Sequence, residues 1–460
     1  MATLSVEDII EATGGRLLSE DAGSFDGVSI DSRKISEGDV FFAIKGERFD
    51  GHDFLESALL KCRGAVVGMK PESFPGGKVI ILVNDTLRSL QDLAHFLRMR
   101  LDIPVVAVTG SNGKTTTKEM IYGMLSAKFR TLKNEGNLNN HIGLPLSLTK
   151  LNPYDEAIVL EMGMNAAGEI RRLCEIAGPT HGVITNVGSA HVGRLGSYEA
   201  VRAAKLEILE RVSVAVVNND DAFLMKGIEE LPDFSAETIT FGINNASDVM
   251  AKDLKVSQTG SAFMLATREA ENVWVSLNVP GIFNVYNALA ASAVAVSLGL
   301  GNGEIKTALE AYRGVPMRFE IMNIKGITVI NDSYNANPSS MEKSVKELVR
   351  IGAGGRKVAV LGDMRELDAF AEKEHRSAGD MVRETGVDVF VAVGEMMALA
   401  AEECRKAKVG NAAPEVYTFE DVNSAKKNIM DILRKGDTVL VKGSRSMSME
   451  KIIGGMTDAV

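Results

Sequence analysis

Short apolar runs, separated by amphipathic stretches, recur along the whole chain. Runs rich in valine, isoleucine and alanine, such as Val105–Thr109, Ala157–Glu161 and Val214–Asn218, predict strands. Between them, apolar residues return every three or four positions, as they do over residues 85–100, which predicts amphipathic helices. Strands and helices that alternate in this way indicate an α/β fold with parallel sheets.

The chain of 460 residues is too long for one hydrophobic core, and its pattern predicts three domains. Residues 1–98 indicate a small α/β domain, and residues 99–312 indicate a central domain built on a parallel βαβ sheet. Residues 313–460 indicate a second α/β unit of Rossmann-like type, in which several strands end in glycine. In parallel sheets, polar residues at the ends of the strands are where ligands are expected.

Composition narrows the class of protein. The hydrophobic fraction of 45% and the charged fraction of 24% are typical of a globular protein. A net charge of −10 argues against nucleic acid as a partner. Three widely spaced cysteines without a CxxC pair indicate reduced thiols in a cytoplasmic protein. We find no signal-peptide pattern and no apolar run long enough for membrane insertion.

A strand, a glycine-rich turn and the start of a helix follow one another over residues 105–118. Gly110 and Gly113 allow the backbone to curl around an anion, and the helix start adds free N–H groups. Lys114 can neutralise phosphate oxygens, and the hydroxyl of Thr115 can bind Mg²⁺. The segment therefore predicts a nucleoside triphosphate site.

Three polar residues beyond this loop are candidates for chemistry. Glu161 ends an apolar strand, where it could hold Mg²⁺ or simply be solvated. His191 is one of six histidines and could be a second metal ligand or a surface side chain. Lys205 lies in a strong helix-forming stretch, which on its own indicates a solvated lysine.

Phosphate binding alone leaves the class of function open. Val108 stands where the usual phosphate loop has glycine, so the loop has the shorter Thr-Gly-x-x-Gly-Lys-Thr form. A nucleotide-switch protein that hydrolyses slowly remains an alternative, and it would need neither His191 nor Lys205.

Taken in order along the chain, these segments resemble the Mur ligases, which are ATP-dependent amide ligases of peptidoglycan synthesis. The resemblance lies first in residues 109–117, 161–163, 185–191 and 204–207. Four further segments resemble the member that adds D-alanyl-D-alanine, namely residues 136–145, 332–338, 362–367 with His375, and 442–445. The resemblance covers essentially the whole chain.

The resemblance implies a role for each matching residue. Catalytic roles are implied for Lys114, His191, Lys205 and Arg318. ATP binding is implied for Gly110, Ser111, Asn112, Gly113, Lys114, Thr115, Thr116, Asn284, Asn287, Arg318 and Asp332. Binding of two Mg²⁺ ions is implied for Thr115, Glu161, His191 and a carbamylated Lys205. Contacts with the other substrates are implied for Ser32, Arg33, Lys45, Asn139, Asn140, Tyr334, Asn335 and Asn337.

The resemblance also implies how the molecule works. The N-terminal domain would hold the uridine diphosphate end of UDP-N-acetylmuramoyl-tripeptide, the central domain ATP, and the C-terminal domain D-alanyl-D-alanine. The protein would be a monomer in the bacterial cytoplasm. His375 is a candidate for helping the dipeptide amine to lose its proton.

Two positions depart from the family pattern, and one alternative activity stays open. Phe283 stands where many Mur ligases have histidine, and Asp368 stands where glycine is usual. Another amide ligase, either an earlier Mur enzyme or one similar to folylpolyglutamate synthase, is the alternative. The Asp-Asn-Pro-Arg motif of the diaminopimelate-adding member is absent from the sequence.

Overall fold

The computed structural model describes residues 3–19, 23–46, 48–268, 270–406 and 414–458. Its main sheets lie one after another along the chain, within the segments 1–98, 99–312 and 313–460. The outer limits of the first and third predicted domains, residues 1 and 460, lie outside the described residues. The mixed α/β class predicted from the sequence is confirmed.

The N-terminal unit is built on a small twisted sheet. Its strands are β1 Leu4–Ser5, β2 Arg16–Leu17, β3 Ser24–Phe25, β4 Gly27–Ser29, β5 Asp39–Phe42, β6 Gly64–Val67 and β7 Val79–Leu82. Its helices are α1 Val6–Thr13, α2 Leu55–Leu59 and α3 Thr86–Met99. The sheet has the order β2-β7-β6-β5-β4, and β1 pairs with β3 beside it. The predicted helix over 85–100 is confirmed, and it begins where the Asp85 side chain accepts a hydrogen bond from the N–H of Arg88.

The central unit contains the longest sheet. Its strands are β8 Val105–Thr109, β9 Thr131–Lys133, β10 Ala157–Glu161, β11 His181–Ile184, β12 Val214–Asn218, β13 Glu237–Gly242, β14 Val249–Val256, β15 Ser261–Thr267 and β16 Val273–Leu277. Its helices are α4 Lys114–Leu125, α5 Gly143–Leu148, α6 Glu169–Ala177, α7 Val192–Leu195, α8 Tyr198–Leu206, α9 Ala222–Glu229, α10 Ile282–Ser297 and α11 Asn302–Ala311. Strands β8, β10 and β12 have the bounds that the sequence predicted.

The central sheet contains the parallel βαβ strands that the sequence predicted, together with further strands at one edge. It has the order β16-β15-β14-β13-β12-β11-β8-β10-β9, and the pairs from β9 to β14 are parallel. Strands β14, β15 and β16 pair antiparallel with one another. The sequence did not predict these three strands, which follow one another through turns without helices and bury one face against α10 and α11.

The C-terminal unit has a six-stranded sheet with helices between its strands. Its strands are β17 Glu320–Ile324, β18 Ile327–Asp332, β19 Lys357–Gly362, β20 Val389–Val393, β21 Glu415–Phe419 and β22 Thr438–Lys442. Its helices are α12 Pro338–Ile351, α13 Ala371–Glu384, α14 Glu395–Cys404, α15 Val422–Ile432 and α16 Glu450–Asp458. The order is β17-β18-β22-β19-β20-β21, with only β17 antiparallel to its neighbour.

Direct hydrogen bonds join the units. Helix α3 contacts the central unit, where Gln91 Nε2 donates to the carbonyl of His141 at 2.9 Å. On the other side, Asn337 Nδ2 donates to Asn112 Oδ1 at 2.9 Å, and the N–H of Ser339 donates to Ser189 Oγ at 3.1 Å. Within the described ranges, the helices are too short or too polar to cross a membrane.

Candidate active site

A cavity of about 760 Å³ lies where the central and C-terminal units meet. Its walls are the loops that follow β8, β10, β11 and β12 on one side and β18, β19 and β22 on the other. These are the carboxyl ends of parallel strands, the edge at which α/β sheets bind ligands. The cavity therefore lies where the sequence places its chemistry.

The phosphate loop connects β8 to α4 as predicted. Gly113 has φ of +84°, and a Cβ there would lie 2.2 Å from Asn287 Oδ1, so a larger residue does not fit. Helix α4 begins at Lys114, and its first turn supplies backbone N–H groups without helical partners. Lys114 Nζ donates to the carbonyl of Gly110 at 2.9 Å, and burial lowers the pKa of its ammonium group.

The hydroxyl of Thr115 makes hydrogen bonds with residues of both the central and the C-terminal unit. It donates to Glu161 Oε2 at 2.7 Å and accepts from Arg318 Nη2 at 2.9 Å. The other carboxylate oxygen of Glu161 accepts from Asn139 Nδ2 at 2.7 Å. The Arg318 guanidinium lies 3.8 Å from the centre of the Tyr334 ring, which fixes its plane. The structure thus brings together residues that the sequence assigned to ATP, metal and substrate.

Lys205 lies beneath the cavity rather than in its wall. The residue is 1% exposed, and its side chain makes no hydrogen bond or ion pair with any described residue. Burial lowers the pKa of its ammonium group well below the ordinary value, and the charge of Lys114 adds to the effect. A helix lysine exposed to solvent, the reading that its local sequence favours, is therefore wrong.

His191 is held in a left-handed backbone conformation with φ of +65°. Its buried Nδ1 lies 3.2 Å from Glu366 Oε2, close enough for an ion pair if the imidazole is protonated, but it has no hydrogen-bond partner of ordinary geometry. Burial lowers the pKa of this imidazole. The neighbouring imidazole, with Arg194 and Lys114 nearby, holds the pKa of the Glu366 carboxyl below its usual range.

The donor set fits Mg²⁺ at one end of the cavity. Thr115 and Glu161 present the oxygen ligands that Mg²⁺ prefers, and the Thr115 oxygen keeps one lone pair beyond its bond from Arg318. The buried, unpartnered Nδ1 of His191 could serve a second ion. Lys205 fits a cation site only as an anion, because its ammonium would repel the ion. Among the described residues, no cluster of three His, Cys, Asp or Glu forms a closed metal site, so phosphate oxygens and water would complete the coordination.

Asn284 and Asn287 lie at the start of α10 and line the cavity. Asn284 Nδ2 donates to the carbonyl of Pro280 at 2.7 Å, and Asn287 Nδ2 donates to Asn284 Oδ1 at 3.2 Å. Asn287 Oδ1 accepts from Thr117 Oγ1 at 3.3 Å. The two amides therefore join α10 to α4 beside the phosphate loop.

Both carboxylate oxygens of Asp332 are engaged within the protein. Oδ1 accepts from the N–H of Phe319 at 3.1 Å, and Oδ2 accepts from Ser344 Oγ at 2.7 Å and from the buried Lys442 Nζ at 2.5 Å. Lys442 also donates to the carbonyl of Asn335 at 3.1 Å. Asp332 therefore anchors the segment next to Arg318, and one lone pair on Oδ1 remains for a ligand.

Most of the predicted binding residues line the cavity, but three residues of the N-terminal unit do not. The cavity wall includes Ser111, Asn112, Thr116, Asn139, Asn140, Tyr334, Asn335 and Asn337. Ser32, Arg33 and Lys45 do not line it and lie in the N-terminal unit. The Arg33 side chain is 84% exposed and pairs with Asp31, and the Lys45 side chain is 79% exposed.

The hypothesis that His375 assists proton loss from the amine is wrong. The residue is buried, its Nε2 accepts from the N–H of Met364 at 2.9 Å, and its Nδ1 contacts the carbonyl of Ala371 at 2.7 Å. Both ring nitrogens are occupied by the backbone, so the imidazole fixes the loop after β19 and has no free nitrogen for substrate.

The two departures from the family pattern have structural consequences. The Phe283 ring packs edge-on against Phe319, with centroids 5.0 Å apart, so it joins the central unit to the residue after Arg318. Asp368 has φ of +43°, a left-handed conformation that glycine adopts more readily.

Sequence reasoning assigned no role to Glu366, Lys442 or Phe319, although all three line the cavity. Glu366 and Lys442 lie in segments 362–367 and 442–445, which were noted only as matching motifs. The signal was therefore present for two of them, whereas nothing in the local sequence marks Phe319.

Comparisons with known proteins show what the chain is similar to. Three family models match the chain: "Mur ligase family, catalytic domain" over residues 24–96, "Mur ligase middle domain" over 108–295, and "Mur ligase, glutamate ligase domain" over 317–445. The UDP-N-acetylmuramoyl-tripeptide--D-alanyl-D-alanine ligase of Bacillus subtilis is 35% identical over 100% of this chain and 99% of its own length. The crystal structure of MurF from Acinetobacter baumannii is 31% identical, with a TM-score of 0.91 over 100% of both chains. The structure of MurF ligase from Thermotoga maritima in complex with ADP is 30% identical, with a TM-score of 0.81 over 94% of this chain and 97% of that one.

Proposed function

We infer that this chain, which belongs to the Mur ligase family, joins D-alanyl-D-alanine to UDP-N-acetylmuramoyl-tripeptide. The reaction converts ATP to ADP and phosphate. It is an ATP-dependent ligase of peptidoglycan synthesis. The observation that most directly supports this activity is the contact between Arg318 and Thr115, which puts a cation from the C-terminal unit on the phosphate loop. A site made from both units suits a reaction that joins a phosphorylated substrate to an incoming amine.

The chemistry has two steps. A carboxylate oxygen of the tripeptide attacks the γ-phosphorus, the bond to the β-phosphate oxygen breaks, and ADP leaves. The dipeptide amine, in its neutral form, then attacks the carbonyl carbon of the acyl phosphate, the C–O bond to phosphate breaks, and the nitrogen gives up its extra proton to solvent. In the first step two anions must meet, so Lys114 and Arg318 neutralise the oxygens that would repel each other.

We propose two Mg²⁺ sites for the same reason. Thr115 and Glu161 would hold one ion, and His191 with a modified Lys205 would hold the other. When bound, the ions supply positive charge that stabilises the transferring phosphoryl group. Thr115 and Arg318 keep their mutual orientation through the stacking of Arg318 on Tyr334.

The modification of Lys205 is a carbamate formed with CO₂. Only the neutral amine attacks CO₂, and burial without a partner favours the neutral amine in Lys205. Nitrogen then bonds to the carbon of CO₂ and loses a proton, which converts a would-be cation into an anion. The product has the oxygen ligands that a second Mg²⁺ needs.

We propose that each of the three units binds a different part of the substrates. Residues 1–98, with Ser32, Arg33 and Lys45, would bind the uridine diphosphate end. Residues 99–312 would bind ATP, with Asn284 and Asn287 near the adenine. Residues 313–460 would bind the dipeptide, close over ATP and contact the ribose through Asp332.

We expect a monomer that acts in the cytoplasm, where ATP is available. The three cysteines are free and buried, which suits a reducing compartment.

The test is a coupled assay of ADP release with the two tripeptide substrates that contain lysine or diaminopimelate. We expect ADP only when ATP, a tripeptide substrate and D-alanyl-D-alanine are all present, and the Lys114→Ala variant should release none. ADP release that does not depend on the dipeptide would instead identify a nucleotide switch, and release with a different amine would identify another amide ligase.

A further inference from the structure

We propose that Glu366 binds the ammonium group of the incoming dipeptide and so orients its nitrogen toward the acyl phosphate. The inference rests on the proposed function and adds a substrate-binding residue to it. Glu366 lines the cavity from the C-terminal unit, and its Oε2 reaches to within 3.2 Å of His191 Nδ1 in the central unit.

The loop that bears Glu366 is built to reach across the cavity. Its neighbours are fixed to the C-terminal unit, because the N–H of Met364 donates to His375 and the N–H of Arg365 donates to Ser444 Oγ at 2.7 Å. Glu366 itself has φ of +68°, and Leu367 after it is buried. The side chain is therefore directed by a rigid turn rather than by a flexible loop.

The same turn lies directly on the central unit. A Cβ on Gly193 would come within 2.5 Å of the Leu367 carbonyl carbon and 2.8 Å of the Glu366 carbonyl oxygen. Only glycine allows so close an approach of the two backbones. The contact fixes the distance between the Glu366 carboxylate and the catalytic end of the cavity.

Glu366 differs from every other acidic residue of the cavity wall. The others are Glu161, Glu169, Asp220, Asp221 and Asp332. Each of these accepts at least one hydrogen bond from a protein donor. Within the described residues, no hydrogen bond of ordinary geometry reaches Glu366: its Oε2 lies 3.2 Å from His191 Nδ1, and its Oε1 lies 3.8 Å from Arg194 Nη2. Its carboxylate is therefore the acid of the wall with the most capacity left for a ligand.

The charges around Glu366 explain why a dipeptide needs it. An α-amine is mostly protonated near neutral pH, and Lys114, Arg318 and Arg194 would repel an ammonium group at this end of the cavity. A carboxylate among these cations offsets the repulsion and accepts hydrogen bonds from the ammonium. A group in this place also keeps the nitrogen near the carbonyl carbon that Lys114 and Arg318 help to activate.

The test separates the two steps of the reaction with a neutral nucleophile. Hydroxylamine is uncharged at neutral pH and converts an acyl phosphate to a hydroxamate and phosphate, so it needs no carboxylate partner. We would measure steady-state formation of the peptide product and of the hydroxamate by full-length wild type, Glu366→Gln, Glu366→Asp and the control Glu372→Gln. Glu372 lies just beyond the same loop, but its side chain is 66% exposed and pairs with Arg376 on the surface.

We expect Glu366→Gln to raise the KM for D-alanyl-D-alanine about 10- to 100-fold, the range for losing one charged hydrogen-bond partner. Its KM for ATP and its rate of hydroxamate formation should stay at the wild-type level. Glu366→Asp should recover part of the dipeptide affinity because it keeps the charge, and Glu372→Gln should match wild type throughout.

Two results would overturn the inference. An equal loss of hydroxamate and peptide would mean that Glu366 serves the first step, through His191 or a metal ion. An unchanged KM for the dipeptide would mean that the ammonium binds elsewhere. If wild type forms hydroxamate from the tripeptide substrate but no peptide with the dipeptide, the proposed function itself is wrong.

Discussion

At the scale of single residues, several basic side chains lie close together at the centre of the site. Lys114, His191 and Lys205 are close enough for their charges to influence one another, and burial lowers the pKa of each. Such an arrangement is costly unless anions join it. The triphosphate, the tripeptide carboxylate and a carbamate on Lys205 are the anions that would balance it.

Replacing Lys205 with alanine tests this balance. We expect turnover to fall about 100-fold or more, because a group that holds a catalytic metal ion is worth several kcal/mol. Short-chain carboxylates such as acetate or propionate should restore part of the activity by occupying the space of the carbamate. ADP release measured with and without added carboxylate gives the result.

The control is Lys226→Ala, because the Lys226 side chain is 70% exposed on α9. Lys205→Ala should remain folded, because the Lys205 side chain makes no hydrogen bond or ion pair with a described residue that the substitution would break. Unimpaired turnover in Lys205→Ala would contradict the carbamate.

At the scale of elements, the short turns after the strands carry most residues of the candidate site. The turn after β8 is the predicted phosphate loop, the turn after β11 presents His191, and the turn after β19 presents Glu366. Each turn is held by its own local bonds, but the last two also touch each other at Gly193 and Leu367. The function therefore depends on the fit between elements of different units.

Adding one methyl group at this contact tests the fit. In Gly193→Ala the new Cβ would lie 2.5 Å from backbone of the C-terminal unit, which cannot move as a side chain can. We expect the turn to be displaced and the peptide-forming rate to fall about 10-fold or more, since misplacement by about 1 Å can cost 100-fold. Rate measurements at saturating substrates give the result.

Gly123→Ala is the matched control. Gly123 lies within α4, and a Cβ there has no other atom within 4 Å. This variant should stay fully active and be more stable by about 0.5–1 kcal/mol, because alanine favours a helix interior. Equal activity of the two variants would show that the turns need not touch so closely.

At the scale of the whole molecule, the site exists only when the central and C-terminal units are in contact. Arg318, Asn337 and Ser339 each reach across the boundary to a residue of the central unit. Because substrates must enter and products must leave, we expect the boundary to open during each cycle.

Locking the boundary tests the need to open it. Ser189 Oγ and the N–H of Ser339 are 3.1 Å apart, so Ser189→Cys with Ser339→Cys would place two thiols across the boundary. We expect oxidation of the double variant to lower turnover about 10-fold or more, because release of products is blocked. A reductant should restore activity, as measured by ADP release before and after reduction.

The single variants are the controls, and oxidation should not affect them. The native cysteines should not interfere, because all three are buried and unpaired. Full activity of the cross-linked protein would mean that the boundary can stay closed throughout the cycle.

The sequence by itself determined the parts that depend on neighbouring residues. Strands β8, β10 and β12 and helix α3 follow from local periodicity, and the phosphate loop follows from glycines, lysine and threonine at fixed spacing. Glu161 ends β10, as the sequence predicted. The antiparallel strands β14–β16 were missed, since their pairing partners are set by packing against α10 and α11.

Only the tertiary structure decided which of these parts meet. Arg318 and Thr115 are 203 positions apart, and their contact depends on how two sheets lie against each other. The burial of Lys205, the occupied nitrogens of His375 and the reach of Glu366 to His191 are likewise invisible to local sequence. Periodicity records which face of an element is apolar, whereas a catalytic site depends on distances between elements, and packing alone fixes those distances.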